Sequence, residues 1–201
     1  MPDTPVPFEL HITTVPLSPA EIPAFTDFCI DRNAKPLLIE LERGEFIEQP
    51  MFNKVVVCAN LQEALIIATS YSEELIEKSW LVKRLKIEIP AYCFETWKQP
   101  ASNHQPYFEW HGKIKGEVSR NLQELCEQHK AHLSLNALNK KGNIRFITLR
   151  EFGSRLKFEK RVHGLIQDIH ASELPLLKHI SEYCVYDNNV FLDNGWLPSP
   201  K

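Results

Sequence analysis

The stretch Phe8–Ile12 reads "FELHI", and Phe108–Gly112 reads "FEWHG", so Phe-Glu-x-His recurs one hundred residues along the chain. In both, apolar and polar residues alternate: Phe8, Leu10 and Ile12 against Glu9 and His11, then Phe108 and Trp110 against Glu109 and His111. Successive side chains of a strand point to opposite faces. Each stretch therefore reads as a half-buried strand that carries a glutamate and a histidine on its polar face.

The flanking segments repeat the same order of elements. After "FELHI", Ser18, Pro19 and Glu21 form a capping signature for a helix through Ile22, Phe25, Phe28 and Cys29. "KPLLIELERGEF" reads as a strand that turns near Gly44, and "FNKVVVCA" as a continuous apolar strand central in a sheet. Asn60 and Glu63 open a helix running to Trp80, and "VKRLKIEI" closes the half as a strand. After "FEWHG", Asn121 and Glu124 are expected to cap a helix, followed by the hairpin "AHLSLNAL" to "NIRFITLREF" with Gly142 in its turn. Ser154 opens the next helix, and "LLKHISEYCVYD" is the last strand.

Both halves thus read β-α-β-β-α-β. The fold class expected is α+β: two tandem ferredoxin-like units with pseudo-twofold symmetry, the product of an internal duplication. The expected boundaries are 1–97 for the first unit, 98–106 for a linker and 107–187 for the second unit. Residues 188–201 then form a tail that packs back and staples the units, or that brings Asp187, Asn188 or Asp193 to a cleft mouth. Within that tail Val190, Phe191, Leu192 and Trp196 are expected to be buried.

Composition narrows the function classes. The chain has 201 residues, 43% of them apolar, with a formal net charge of −3, which gives no general attraction to nucleic acid or acidic membranes. No apolar run is long enough to span a bilayer, and the N-terminus has no basic and apolar leader pattern, so a cytoplasmic location is expected. The cysteines (Cys29, Cys58, Cys93, Cys126 and Cys184) are odd in number and lack a C-x-x-C pair, which suits reduced and mostly buried thiols. No P-loop, G-x-G-x-x-G or G-x-S-x-G is present. "LNKKGNIRF" has a basic-aromatic texture, but without the glycine and aromatic signature of an RNA-binding strand.

If helices cover one face of each sheet, alternation assigns the other. Glu9, His11, Glu109, His111, Lys113, His132, Ser134 and Asn136 fall on the open faces, as do Arg84, Lys86 and Glu88. Two such faces packed together, or rolled into a barrel, enclose a polar cleft with His11 and His111 near the symmetry axis. Lys113, His132, Ser134 and Asn136, with Arg145 or Arg150 nearby, suit a carboxylate or phosphate. The leading expectation is a small anionic ligand, with catalysis left open and the cofactor unknown. One alternative is a protein-interaction or regulatory module without catalysis.

Another alternative is a metal-dependent enzyme that joins His11 and His111 to Glu9, Glu109, Glu88 and Glu182. "HITT" and "HLSL" also fit H-x-[ST]-x, which looks like the two-histidine phosphoesterases; that likeness would give roles to His11, Thr13, His132 and Ser134. However, the repeat does not relate His11 to His132.

"YFEWHGKIKG", "AHLSLNA", "RFITLREFG" and "VYDNNVFLDNGWLP" resemble segments of a family of uncharacterised bacterial proteins, over nearly the whole chain. The resemblance implies no activity and no role for any residue.

Overall fold

The alternation in both Phe-Glu-x-His stretches is realised as strand. A computed structural model describes residues 5–97, 105–139 and 143–195. In the first half, β1 (Val6–Thr14), α1 (Ile22–Asp31), β2 (Lys35–Leu41), β3 (Glu48–Cys58), α2 (Leu61–Glu77) and β4 (Val82–Pro90) follow in order. After a 3-10 turn at Ala91–Thr96, the second half has β5 (Tyr107–Lys115), α3 (Arg120–His129), β6 (His132–Asn136), β7 (Ile144–Glu151), α4 (Arg155–Ala171) and β8 (Leu176–Asp187). A last 3-10 turn spans Val190–Asp193. The turn at Gly142, the side chain of Trp196 and most of the expected linker lie outside the described residues.

The eight strands form one closed barrel in the order β1-β3-β2-β6-β7-β5-β8-β4. Within the first half the order is β4-β1-β3-β2, and within the second β8-β5-β7-β6. Antiparallel pairing of β4 with β8 and of β2 with β6 closes the two seams. The mixed α and β composition expected from the sequence is present, and the sheet is one continuous cylinder.

Helices cover the outside of that cylinder. Phe8 and Leu10 pack with Leu61, Ala64 and Ala68 of α2, while Ile12 packs with Phe25, Phe28 and Cys29 of α1 and Leu75 of α2. On the other side, Phe108, Trp110 and Ile114 meet Leu122, Leu125 and Cys126 of α3 and Phe158, Leu165 and Ile169 of α4. Burying each such side chain stabilises by roughly 1.5–3 kcal/mol, so the two layers hold the barrel from outside. All five cysteines are free, and four of them are buried.

Several local expectations are corrected. Helix α1 starts at Ile22, three residues later than the Ser18 cap implies, although Glu21 accepts from Ser18 N (2.8 Å) and Oγ (2.7 Å) as a capping box requires. Ser119, not Asn121, caps α3 by accepting from Leu122 N, and Glu124 instead pairs with Arg120 at 2.8 Å. The Asn60 cap of α2 forms as expected, with Glu63 N donating to Asn60 Oδ1 at 2.9 Å. Strand β3 is not a fully covered central strand: Val55 and Val57 are exposed. In the tail Leu192 is buried, whereas Phe191 is 70% exposed.

Gly112 has a specific steric role. The fully buried Trp110 ring lies over it on the same face, so a Cβ there would come within 2.2 Å of the indole. Gly112→Ala is expected to destabilise the fold by about 1–3 kcal/mol through overpacking. Urea denaturation beside the wild type measures this.

Candidate functional site

Because Phe8, Leu10 and Ile12 face the helices, Glu9, His11 and Thr13 face the barrel axis. The same logic turns Glu109 and His111 of β5, Ser134 and Asn136 of β6, Thr148 and Arg150 of β7 and Glu182 of β8 inward. Strand β4 supplies Arg84 and Lys86, and Glu88 follows them on the same face. The interior holds a cavity of about 220 Å³. The charged part of its lining is termed the floor, and the apolar part, formed by Leu37, Ile39, Leu41, Met51, Phe146 and Ile180, the upper wall. Exposed Lys35 and partly exposed Ile180 mark the rim.

The register places two like sets of groups together. Glu9 pairs with Glu88 across β1 and β4, and Glu109 pairs with Glu182 across β5 and β8. His11 Nε2 lies 3.8 Å from Glu9 and 2.9 Å from Glu88. His111 Nε2 lies 3.4 Å from Glu109 and 3.5 Å from Glu182. Each Glu-x-His strand thus brings its histidine to its own glutamate and to that of the closing strand. Asn53 donates to Glu9 at 2.6 Å and lies 3.2 Å from His11 Nδ1, while His111 Nδ1 lies 3.0 Å from Thr148 Oγ1.

The two sets are also joined to each other. Burial and the charges of Glu88 and Glu9 push Glu182 up to about 10, so it keeps its proton at neutral pH and hydrogen-bonds Glu9. Burial works against the Glu9 carboxylate, but His11 and hydrogen bonds from Glu182 and Asn53 outweigh it and hold Glu9 at about 2. On the other side Lys86 Nζ sits between carboxylates, 2.9 Å from Glu88 and 2.7 Å from Glu109. Burial opposes the Lys86 charge, yet Glu109 and Glu88 raise its pKa above the ordinary lysine range.

A third group of charges anchors the tail. Arg84 binds Asp187 through Nε at 2.9 Å and Nη2 at 2.5 Å, and reaches Asp193 at 2.9 Å. Arg150 binds Asp193 and Glu109, each at 2.6 Å. Tyr107 Oη donates to Asp187 at 2.6 Å. Burial raises the Tyr107 pKa against the pull of Arg150 and Arg84. For Glu109, burial is overcome by Arg150 and Lys86, which hold it well below the usual carboxylate range. Asp193 therefore enters the barrel from the tail, which is also stitched down by Gln49 donating to Leu192 O and by Glu45 N donating to Asn194 O.

Of the residues singled out from sequence, Glu9, His11, Glu109, His111, Ser134 and Asn136 line the cavity. Lys113 and His132 do not. Lys113 lies one step further along β5, opposite Lys178 and Phe146. His132 is held by Arg43, whose Nε lies 3.3 Å from Nδ1. The H-x-[ST]-x pairing of His11 with His132 is therefore not assembled in this cavity. Arg150, and not Arg145, reaches the floor. Arg84, Lys86 and Glu88 carried a signal in the alternation of "VKRLKIEI"; Asn53 carried none, because its strand read as apolar throughout.

Two consequences can be measured. Arg84→Met leaves Asp187 buried without its cation and Asp193 with Arg150 alone, and is expected to cost about 3–5 kcal/mol in urea unfolding. Burial, then Arg43 and Arg150, depress His132 to about 4 from its ordinary 6.5. A depressed histidine contributes stability that is complete above pH 6.5 and is lost as pH falls toward 4. Wild type should therefore lose stability faster over that window than His132→Gln, by at most about 1.4 kcal/mol per pH unit. Unfolding curves of both proteins at a series of pH values give the difference.

No family model matches the chain, and no curated protein matches it. Among solved structures, a heme-binding protein from Thermus thermophilus is similar over 90% of this chain and 92% of its own, at 10% identity and a TM-score of 0.29. A variant of chlorite dismutase from Candidatus Nitrospira defluvii is similar over 93% of this chain and 92% of its own, at 11% identity and a TM-score of 0.28. Likeness at this level carries no argument about what the chain binds. No helix among the described residues is long and apolar enough to cross a membrane.

Proposed function

We propose that the barrel interior binds a small molecule that presents a cationic or hydrogen-bond-donating group to the floor and an apolar part to the upper wall. The observation that carries this reading is the charge balance of the interior. Among the described residues, the carboxylates of Glu9, Glu88, Glu109, Asp187 and Asp193 outnumber the fixed buried cations Arg84, Lys86 and Arg150, while Glu182 keeps its proton. Each of those cations already holds a carboxylate. An anion would have to break such a pair, whereas a positive group meets surplus carboxylate.

Here the reading departs from the anionic ligand expected from sequence. That expectation leaned on Lys113 and His132, which lie outside the cavity lining, and on arginines that are internally neutralised. Size also constrains the ligand, since an engineered cavity of about 150 Å³ holds benzene. A volume of about 220 Å³ suits a compact molecule. A polar cavity of this size favours ligand binding over a module that acts only through its outer surface. Two Glu-x-His pairs facing one cavity are also the side-chain types that general acid–base chemistry uses, so the reading includes catalysis on the bound molecule.

The equivalent registers Glu9 with Glu88 and Glu109 with Glu182, and the like strand order of the halves, support reading the chain as two ferredoxin-like units. On that reading units 1–97 and 107–187 arose by duplication and share one barrel. The ligand then sits where the two sets of groups meet.

The test is a thermal-shift panel of small aryl and alkyl amines beside matched carboxylates and phosphates, run with chelator present. A fitting amine at about one hundred times its Kd adds about 2.7 kcal/mol, which raises Tm by roughly 5–10 °C for a chain of this size. Leu37→Trp, which fills the upper wall and leaves the floor intact, should abolish the shift. Stabilisation by anions alone, or an amine shift that survives Leu37→Trp, would overturn the reading.

A further inference from the structure

The structure points to a binding site for one divalent first-row transition ion within the floor, held by Glu88, Glu109 and His111. This inference deepens the reading of the interior as a site for positive charge. One donor atom from each of the three residues lies within 4.8 Å of the other two. Donors around an ion at about 2.1 Å stand roughly 3.0–4.2 Å apart, so side-chain adjustments of a few tenths of an ångström close the set. Imidazole with carboxylates is the donor mixture that manganese, iron and zinc accept.

A second observation comes from Glu88 alone. Its side chain is fully buried, and neither carboxylate oxygen has a hydrogen-bond partner. His11 Nε2 and Lys86 Nζ each approach Oε2 to 2.9 Å, but neither contact is aligned as a hydrogen bond. Lys86 balances the charge, but the oxygens lack aligned donors, and an ion bound to them would satisfy that need.

The Lys86 ammonium already bridges Glu88 and Glu109, so the fold places one positive charge between these two carboxylates. A divalent ion would replace that charge by a larger one, and the long lysine stem lets the ammonium withdraw. Lys86 is thus a built-in competitor for the ion.

The experiment uses the full chain, stripped with chelator and dialysed against Mn²⁺ alone, with elemental analysis and electron paramagnetic resonance as readouts. The expected result is one retained equivalent of Mn²⁺, with a spectrum distinct from the aqueous ion. Glu88→Gln and His111→Ala should each weaken retention tenfold or more, on the order of the effect of disturbing a ligand shell. Lys86→Met should lower the melting temperature of the metal-free protein, bind Mn²⁺ more tightly than wild type, and regain its melting temperature when Mn²⁺ is added. If Lys86→Met does not fold, the other two variants decide. Absence of stoichiometric Mn²⁺ binding by wild type, or full affinity in Glu88→Gln, would overturn the inference. Amine binding in the chelator-treated panel is read separately, so the ion site and the organic-ligand reading fail independently.

Discussion

Glu109 is the residue on which the interior depends. It is almost completely buried and holds Arg150 through one oxygen and Lys86 through the other. Through Arg150 it connects to Asp193 and then to Arg84 and Asp187, and through Lys86 it connects to Glu88. The chain of charges therefore runs from the second half, through the tail, to the first. Buried ion pairs contribute little net stability, but losing one partner is severe because the other charge is left in a poor solvent. The network is better understood as fixing one arrangement of strands and tail than as the main source of stability, which lies in the apolar layers beneath the helices.

That constraint explains why the sheet closes. Each half has one face covered by two helices and one face carrying Glu, His, Lys, Arg, Ser and Asn. Closure through β4–β8 and β2–β6 turns both polar faces onto each other and removes free sheet edges. The seams are unequal: β4 and β8 pair over Lys86–Pro90, whereas β2 and β6 pair only over Ile39–Leu41. The strands of the longer seam carry Arg84, Lys86, Glu88 and Glu182, whereas β2 at the shorter one carries Leu37, Ile39 and Leu41. A cavity with a charged floor and an apolar upper wall follows from this division.

The halves match in register but not in chemistry. Opposite His11 stands Lys86, and opposite His111 stands Ile180. Opposite Glu9 on the other flank is Val55, and opposite Glu109 is Arg150. Two of the fixed cations therefore come from β4 and one from β7. One cross-half carboxyl pair, Glu9 with Glu182, is joined by a proton, while the other, Glu88 with Glu109, is joined by an ammonium. Like positions have thus taken different means of neutralising the same close approach of carboxylates.

Alternation and capping are local, so the element order and the strand faces were legible before any tertiary contact was known: "FELHI", "FEWHG" and "VKRLKIEI" assign Glu9, His11, Glu109, His111, Arg84, Lys86 and Glu88 to one side without any knowledge of neighbours. The sequence also left Asp193 as a candidate for the mouth of a cleft. Register and closure were beyond it, because they depend on contacts between residues about one hundred positions apart. Only the tertiary structure placed Glu182 against Glu9 and Lys86 between Glu88 and Glu109, and only it kept Lys113 and His132 away from the cavity. The sign of the preferred ligand turned on those placements. A side chain's own charge is written in the sequence, but whether that charge is free to meet a ligand depends on which opposite charge the fold has already set beside it.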